Sequence, residues 1–280
     1  MAKCLNVDEI KQTLLQDQQS HSDIFEILKS ISLLLNNPEF EEQQMKLQEI
    51  IIILLEKKIA HEEFNSLIDA LVREVGLFPY LDEESLTFRD RIAYEYHRPF
   101  GLNNVVFHKV QAEVYRTILD GKNVILSAPT SFGKSLIIDA IIATKRFSNV
   151  VIVVPTIALI DETRRRLSKF TGEYKIITHS SQKHGRNNIF ILTQERVVEF
   201  LDVKETKIDF FVIDEFYKIQ PSGDDERYIA LNQAFYKLLK SNSQFYLLGP
   251  NIESISGISS KQLQWEFIKT NYCTVVSNYH

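Results

Sequence analysis

The sequence predicts an α/β protein in which a small all-α domain precedes a larger domain built on a mainly parallel sheet. Two observations support this prediction. The first 97 residues contain a single glycine and repeat their apolar residues at helical spacing. From about Arg98 onward, short β-branched runs alternate with amphipathic helical segments, which is typical of parallel sheets covered by helices on both faces. We therefore predict a helical domain over residues 1–97 and an α/β domain over residues 98–280.

Three apolar patterns predict helices in the first domain. The first pattern runs from Ile24 to Leu35 with Ser22 as its expected N-cap, and two more cover Phe40–Ile59 and Phe64–Val75. Gly76 is expected to end the third helix, since glycine adopts the left-handed conformation found after helix C-termini. This domain offers no catalytic constellation.

In the second domain, nearly continuous apolar runs predict buried strands. We expect strands at Asn123–Ser127, Val150–Val154, Lys175–Thr178, Ile189–Thr193, Phe210–Ile213 and Phe245–Leu248, with Thr274–Val276 as a weaker candidate. The helical patterns between them lie at Ser135–Thr144, Ile157–Phe170, Gln194–Leu201 and Asp225–Leu239. Trp265, Phe267 and Tyr272 are interpreted as packing residues.

The composition excludes several classes of protein. With 44% apolar and 25% charged residues, it is typical of a soluble globular chain. The longest apolar run, Ile50–Leu55, is far shorter than the roughly 18 residues that a membrane span needs. The N-terminus does not resemble a secretory signal. The two cysteines, Cys4 and Cys273, suit neither a disulfide framework nor a zinc site. A cytoplasmic protein with no membrane partner is expected.

Charge is divided unevenly between the two predicted domains. Residues 1–97 carry 9 Lys and Arg against 19 Asp and Glu, a net charge of −10, and residues 98–280 carry 23 against 18, a net charge of +5. A polyanionic partner is therefore expected on the second domain. A protein partner is a further possibility for the acidic helical domain. Two domains with differently solvated faces would give the same counts.

The most specific motif follows the first predicted strand. Residues 128–135 read A-P-T-S-F-G-K-S and match the phosphate-binding pattern G-x-x-x-x-G-K-[ST], with Ala128 in place of the first glycine. Backbone N–H groups of such a loop, together with the following helix N-terminus, bind phosphate oxygens. Lys134 would contact the β- and γ-phosphates, and Ser135 would ligate Mg²⁺. We predict that the nucleotide is bound by Thr130, Ser131, Phe132, Gly133, Lys134 and Ser135.

A pair of carboxylates ends another predicted strand. The run Phe210–Ile213 is followed by Asp214 and Glu215, so both carboxylates are expected at the carboxyl edge of the sheet, beside the phosphate loop. Asp214 would hold Mg²⁺ through water, and Glu215 would orient and deprotonate the attacking water. The predicted catalytic residues are therefore Lys134, Asp214 and Glu215, and the predicted metal site consists of Ser135 and Asp214.

These motifs resemble those of superfamily 2 (DEAD/DEAH-box-like) helicases, in the same order along the chain. The phosphate loop is similar to their A-x-T-G-x-G-K-[ST] motif, and residues 214–217, D-E-F-Y, look like their D-E-x-x box. Residues 155–159, P-T-I-A-L, are similar to motif Ia, and residues 193–196, T-Q-E-R, resemble motif Ib. Gln111 lies where the family has its adenine-reading Q motif. The resemblance covers residues 99 to about 252 and implies the first RecA-like lobe of a helicase that uses ATP and Mg²⁺.

The resemblance also implies roles for residues outside the phosphate loop. Gln111 would hydrogen-bond the adenine edge, and Phe100 or Phe107 would stack on the ring. Contacts to the backbone of single-stranded DNA or RNA, independent of base sequence, are implied for Pro155, Thr156, Thr193 and Arg196. Arg164-Arg165-Arg166 either adds phosphate contacts or forms a solvated helix face.

The sequence departs from the family pattern in places that bear on coupling. Ser131 replaces the middle glycine of the phosphate loop, and Gly249-Pro250-Asn251 stands where motif III has S-A-T. The resemblance therefore implies nucleotide binding more strongly than it implies the coupling of ATP turnover to nucleic acid. The combination of A-P-T-S-F-G-K-S with D-E-F-Y-K resembles the helicase subunits of Hachiman-type bacterial anti-phage defence systems.

The resulting hypothesis is an ATP-dependent helicase or translocase motor of which this chain holds one lobe. The arginine-finger motif of a second RecA-like lobe does not occur in the sequence, so we expect that lobe to act in cis or in trans and the isolated chain to be weakly active or inactive. One alternative is a non-catalytic, nucleotide-gated module that docks on a partner. A second is a P-loop enzyme similar to nucleotide kinases, which the position of Asp214 and Glu215 after a strand disfavours.

Overall fold

The computed structural model of the protein describes residues 5–15, 20–37, 40–56, 62–203, 205–221, 227–250, 252–254 and 263–271. These residues form two compact units. The first contains the described residues up to Arg98 together with Asn104–Ala112, and the second contains Pro99–Asn103 and the described residues from Glu113 to Asn271. The strand predicted at Thr274–Val276 lies outside the described residues. No helix in the described ranges has the length and apolar character needed to cross a membrane.

The first unit is helical, as predicted. Its described α-helices are α1 (Val7–Leu15), α2 (His21–Leu35), α3 (Phe40–Glu56), α4 (Asn65–Glu74) and α5 (Phe88–Tyr96). Each is short, so its stability depends on the apolar face that it buries against its neighbours. The apolar residues of α2 that gave the helical pattern are buried, among them Ile24, Ile27, Leu28 and Ile31.

Two helix ends in this unit can be compared with the sequence predictions. The N-cap of α2 is Ser20 rather than Ser22, so the prediction of Ser22 is wrong. Ser20 Oγ accepts from Asp23 N at 3.2 Å, and an oxygen of Asp23 accepts from Ser20 N at 2.9 Å, which forms a capping box. At the C-terminal end of α4, Gly76 adopts φ 77° directly after the C-cap residue Val75, as predicted.

The second unit contains a sheet with helices between its strands. Helix α6 (Lys109–Leu119) begins within the first unit's residues and continues into the second. The strands are β1 (Asn123–Ser127), β2 (Asn149–Val153), β3 (Lys175–Ile177), β4 (Asn188–Leu192), β5 (Phe210–Ile213), β6 (Gln244–Gly249) and β7 (Trp265–Lys269). The remaining described helices are α7 (Lys134–Ala143), α8 (Ile157–Leu167), α9 (Gln194–Phe200) and α10 (Arg227–Leu239).

The six predicted strands of this unit that lie in described residues are present, and β1 and β5 have the predicted bounds. Strand β7 was not predicted, because Trp265 and Phe267 were interpreted as packing residues only. Glu266 interrupts its apolar run, and all but one of its side chains are half-buried, so it lacks the signal of a buried strand.

All described strand pairs in the sheet are parallel, and the order is β3-β4-β2-β5-β6-β1-β7. This is the RecA-like α/β arrangement that the sequence predicted, with the all-α unit before it. Apolar side chains from the sheet and from α9 and α10 form a common core on one face, which includes Phe211, Phe235 and Phe245. The sheet is thereby held as a rigid platform for the loops at its edge.

His108, in the first unit, makes the stability of that unit dependent on pH. Its side chain is buried, and this burial lowers the pKa of the imidazole from 6.5 to about 4, against the opposing effect of a hydrogen bond with Gly76. The imidazole therefore stays neutral in the folded unit down to about pH 4, whereas in the unfolded chain it takes up a proton below about pH 6.5. Stability is full above that pH and is lost as the pH falls towards 4, by up to about 3 kcal/mol.

We therefore expect urea unfolding at pH 4.5 to show a smaller loss of stability, relative to pH 7, in His108→Gln than in the unaltered chain. Exposed His179 provides the matched control, and His179→Gln should follow the unaltered chain. Equal losses in all three proteins would show that His108 does not carry the effect.

Candidate functional site

The candidate site lies at the carboxyl edge of the sheet in the second unit. Strands β1 and β6 are in register at Ser127 and Gly249, and β5 pairs with β6 at Ile213 and with β2 at Val153. The loops that follow these strands therefore leave the sheet at one edge. Because β6 separates β1 from β5, the phosphate loop and the Asp–Glu pair start roughly 10 Å apart.

The phosphate loop connects β1 to α7 through a short 3-10 turn at Thr130–Phe132. Gly133 adopts φ 79°, a left-handed conformation in which glycine avoids the strain of a Cβ. The Lys134 ammonium donates to Ala128 O at 2.9 Å and to Pro129 O at 2.8 Å. To reach a phosphate, the lysine must exchange these two carbonyl acceptors for phosphate oxygens.

The side chains of the loop differ in exposure. Thr130, Ser131 and Ser135 are exposed, so their hydroxyls are accessible. Phe132 is fully buried, so any contact with a nucleotide must come from its backbone. Burial lowers the pKa of the Lys134 ammonium, and the charges of the two carboxylates that follow β5 oppose this effect.

The Asp–Glu pair continues directly from β5. Asp214 N donates to Val153 O at 3.0 Å, which fixes the residue to the neighbouring strand β2. Glu215 then adopts φ 54°, an uncommon conformation for a residue with a side chain, and its N–H donates to Asp214 Oδ1 at 2.9 Å. Burial raises the pKa of the Asp214 carboxyl, and the bond from Glu215 N opposes this shift.

The two carboxylates have different surroundings. Glu215 forms an ion pair with Lys218, one turn further along. Within the described residues, no cationic side chain forms a salt bridge with Asp214. Its oxygens are of the hard type that Mg²⁺ prefers, as is the accessible hydroxyl of Ser135. The residues at this edge therefore fit the predicted metal.

A cavity of about 400 Å³ opens beside Asp214 and Glu215. It extends from the end of β2 to the beginning of α10 and has both apolar and charged walls. Its polar lining includes Gln194, Tyr217, Lys218, Gln220, Arg227 and Tyr228. Because Pro155 also lines it, the cavity joins the Asp–Glu pair to the loop that resembles motif Ia.

The residues that resemble motifs Ia and Ib follow two neighbouring strands, β2 and β4, and so lie together at the same edge. Thr156 is exposed and caps α8, with its hydroxyl accepting from Leu159 N at 3.3 Å. Thr193 and Pro155 are buried, and proline has no N–H to donate. The half-buried Arg196 donates to Thr178 O at 3.0 Å. Of these four predicted nucleic-acid contacts, Thr156 is the most accessible.

Gln111 belongs to the first unit. Its side chain is buried, and its Oε1 accepts from His108 N at 3.0 Å. Its role towards adenine stays a prediction. Of the two aromatic residues suggested for stacking, Phe107 is fully buried and Phe100 is 74% exposed, so only Phe100 presents an accessible ring.

Arg166 connects helix α8 to the phosphate loop, a role that the sequence did not reveal. Its guanidinium donates to Ser135 O at 2.8 Å and pairs with Asp139 on α7, and Lys169 donates to the same carboxylate at 2.7 Å. Asp139 is only 3% exposed, so its charge requires such partners. The signal in the sequence was a single aspartate inside the apolar run of α7.

Arg227 likewise connects two elements of the site, the segments that follow β2 and β4. It donates to Pro155 O and to a Glu195 oxygen, the latter at 3.3 Å, so it ties the loop after β2 to the first turn of α9. The run Arg164-Arg165-Arg166 is thus not one uniform surface. Arg164 pairs with Asp161 at 3.1 Å on an exposed face, whereas Arg166 is turned towards α7.

Two of the helicase-like segments meet in space. A Cβ on Gly249 would lie 3.0 Å from Tyr217 Cδ1 and 3.4 Å from Ile252 Cδ1. The Tyr217 ring, two residues after the Asp–Glu pair, therefore packs against Gly249, which stands at the motif III position. The D-E-F-Y segment and the motif III position are thus in direct contact.

Comparison with known proteins identifies the family. The family model of the DEAD/DEAH box helicase matches residues 108–275, which is more than half of the chain. The chain belongs to the DEAD/DEAH box helicase family. In this DEAD/DEAH box protein, residues 1–91 also match the N-terminal domain of anti-bacteriophage protein B.

Two curated relatives are longer than the chain. Anti-bacteriophage protein B of Escherichia coli (strain K12) is 41% identical over 282 residues, covering 94% of this chain and 38% of that protein. Helicase POLQ-like of Caenorhabditis elegans is 28% identical over 162 residues, covering 50% of this chain and 17% of that protein. The DEAD/DEAH box protein described here therefore spans well under half the length of either relative.

Solved helicase structures are also similar to the chain. UvsW helicase from bacteriophage T4 is 18% identical at a TM-score of 0.44, covering 74% of this chain and 78% of that one. The DUF1998 helicase MrfA bound to DNA is 15% identical at a TM-score of 0.44, and the match covers 59% of this chain and 26% of that one. The Sulfolobus solfataricus SWI2/SNF2 ATPase core in complex with dsDNA is 16% identical at a TM-score of 0.40, and the match covers 55% of this chain and 34% of that one.

The contact from Arg166 to Ser135 leads to a prediction about metal-dependent nucleotide binding. Arg166→Ala removes the charge-assisted bond that fixes Ser135, and such bonds contribute about 1.5–3 kcal/mol. We expect the affinity for ATP with Mg²⁺ to fall roughly tenfold, while the affinity measured in EDTA changes little, because Ser135 is predicted to act through the metal.

Lys169→Ala is the matched control, since Lys169 binds the same Asp139 carboxylate without contacting Ser135. Both variants should unfold at a lower temperature, but only Arg166→Ala should lose the Mg²⁺-dependent affinity. Equal nucleotide affinities in the two variants, measured with a fluorescent ATP analogue, would contradict the positioning role of Arg166.

Proposed function

We propose that this chain is the ATP-binding and nucleic-acid-binding part of a helicase-type motor, in which ATP hydrolysis is coupled to the binding of single-stranded DNA or RNA. One observation supports the proposal most directly. The phosphate loop, the Asp–Glu pair and the loops that resemble motifs Ia and Ib all follow strands of one parallel sheet and leave it at one edge, with Asp214 between the other two groups.

Within this proposal, the phosphate loop residues from Thr130 to Ser135 bind the triphosphate. Lys134 neutralises the β- and γ-phosphates after leaving its two carbonyl acceptors. Ser135 and Asp214 hold Mg²⁺, which supplies charge neutralisation to the transferring phosphoryl group. The accessible Ser135 hydroxyl and the Asp214 carboxylate, which has no salt bridge among the described residues, support this assignment.

Glu215 is the proposed general base. Its backbone adopts φ 54°, and strained conformations of this kind are found at functional sites. The carboxylate orients a water molecule and accepts its proton as the water attacks the γ-phosphate. Lys218 forms an ion pair with this carboxylate.

Nucleic acid is proposed to bind beyond Glu215, along Pro155, Thr156, Thr193 and Arg196. Thr156 offers an accessible hydroxyl and the N-terminus of α8, both of which suit phosphate oxygens. Arg227 fixes the two loops relative to each other. The net charge of +5 over residues 98–280 also favours a polyanion.

The organisation of the chain completes the proposal. We propose a helical domain over residues 1–97 that recruits a protein partner and a motor lobe over residues 98–280 that works with a second RecA-like lobe in cis or in trans. Gln111 is proposed to read the adenine. The 41% identity to anti-bacteriophage protein B and the match of residues 1–91 to its N-terminal domain support a role in anti-phage defence. The closer assignment to Hachiman-type systems stays a prediction.

Nucleotide binding is tested with the 280-residue chain and a fluorescent ATP analogue. Lys134→Ala should weaken binding at least tenfold, because it removes a charge-assisted contact to the phosphates. Lys122→Ala is the control, since Lys122 precedes β1 at the opposite edge of the sheet and is exposed. Unchanged affinity in Lys134→Ala would overturn the assignment of the phosphate loop.

Catalysis is tested by single-turnover ATP hydrolysis with and without single-stranded DNA or RNA. We expect nucleic acid to stimulate hydrolysis and Glu215→Gln to lower the rate by at least a hundredfold while ATP still binds. If ATP binds and no turnover occurs under any condition, the chain is instead the non-catalytic, nucleotide-gated module.

A further inference from the structure

A basic groove lies at the outer edge of the sheet in the second unit, away from the phosphate loop. It has a volume of about 550 Å³ and runs between the end of α8, strand β3 and the loop that joins β3 to β4. We call it the edge groove and define it by Arg164, Lys175, Thr178, Gln182, Gly185 and Arg186.

The charge of the edge groove is positive and largely uncompensated. Lys175 and Arg186 are exposed, and neither forms a salt bridge among the described residues. Arg164 pairs with Asp161, but both side chains are more than half exposed, so this pair is weak. The one acidic residue that lines the groove, Glu173, is paired with Lys145 at 2.7 Å. The groove therefore presents cations to a partner.

The loop that forms one wall of the edge groove is fixed at both ends. At the first end, Gln182 Oε1 accepts from Thr178 N at 2.7 Å and from His179 N at 2.9 Å. At the second, the buried Asn188 accepts from Gly185 N at 2.6 Å and donates to Gly185 O at 3.1 Å. A wall that is already ordered loses little conformational entropy on binding.

Glycine allows the loop to approach the edge strand closely. A Cβ on Gly185 would lie 3.1 Å from Lys175 Cβ. This approach places the Arg186 backbone next to β3, so that two cations line one concave surface. A solvated helix face would instead be convex and have its charges paired, as Arg164 does with Asp161.

The edge groove is continuous with the surface proposed to bind nucleic acid. Thr178, which lines the groove, accepts from Arg196 through its carbonyl oxygen. Arg196 is one of the four residues proposed to contact the nucleic-acid backbone, and it follows the adjacent strand β4. A single strand of nucleic acid bound at Arg196 would therefore reach the edge groove next.

We infer that the edge groove is an additional binding site for the phosphodiester backbone, which extends the nucleic-acid footprint beyond motifs Ia and Ib. Lys175 and Arg186 neutralise phosphates, and the side-chain amide of Gln182 and the hydroxyl of Thr178 add hydrogen bonds. This inference rests on the proposed function, since it assumes that a strand is bound at Arg196.

The test compares the double variant Lys175→Ala/Arg186→Ala with the unaltered chain, on DNA and RNA single strands of about 30 and about 8 nucleotides. Binding of the long strands should weaken about three- to tenfold. The slope of log affinity against log salt concentration should become shallower by about 1.4, or about 0.7 for each lost phosphate contact. Binding of the short strands should change little, since they fill motifs Ia and Ib first.

The control is Lys207→Ala/Lys240→Ala, which removes two exposed positive charges from the same unit at positions that do not line the edge groove. If the groove variant and the control weaken long-strand binding equally, or if the short strands lose as much as the long ones, the inference is overturned while the proposed function stands. If the unaltered chain binds neither strand length, the proposed nucleic-acid function fails and the inference fails with it.

Discussion

The parallel direction of the strands is the constraint on which the rest of the second unit depends. Since β1, β2, β4, β5 and β6 run the same way, every loop that follows one of them must open at the same edge. The order of the strands then determines which of these loops lie next to each other. The Asp–Glu pair follows β5, which has the phosphate-loop strand two positions to one side and the strands of motifs Ia and Ib on the other. The order of the strands thus places the Asp–Glu pair between the phosphate loop and the loops that resemble motifs Ia and Ib.

Two arginines stabilise this arrangement away from the backbone ladder. Arg166 holds α7 and α8 together at a buried carboxylate, and Arg227 joins the loops after β2 and β4. Each bridge joins elements that follow different strands of the sheet. Because α8 has Thr156 at its N-terminus and Arg166 near its C-terminus, a single helix of 11 residues touches both sides of the site.

Much of the fold and the central motifs could be predicted because their signals are local. The buried strands read as continuous apolar runs, and the phosphate loop and the Asp–Glu pair are short segments whose chemistry follows from their own residues. The rest depends on contacts between distant residues, such as the 27 positions between Arg166 and Asp139 or the 72 between Arg227 and Pro155. The wrong N-cap of α2 has a local cause instead: Asp23 lies three residues after Ser20, which is the spacing of a capping box, whereas Phe25 lies three residues after Ser22.

The contact between Tyr217 and Gly249 is another feature that depends on residues far apart in the sequence. Gly249 departs from the S-A-T pattern of motif III, and in the structure it is complementary in size to Tyr217. The missing side chain at residue 249 accommodates the ring at residue 217. A link between the Asp–Glu strand and the motif III position is therefore present here as packing.

The two carbonyl bonds of Lys134 have a thermodynamic consequence. Under the proposed function, an ammonium that already has acceptors binds phosphate by exchange, so the enthalpy gained is the difference between two sets of hydrogen bonds rather than the full value of the new set. Such an exchange would favour ligands of high negative charge. A neutral or singly charged group would offer the lysine no better partner than the carbonyl oxygens it leaves, whereas a triphosphate would.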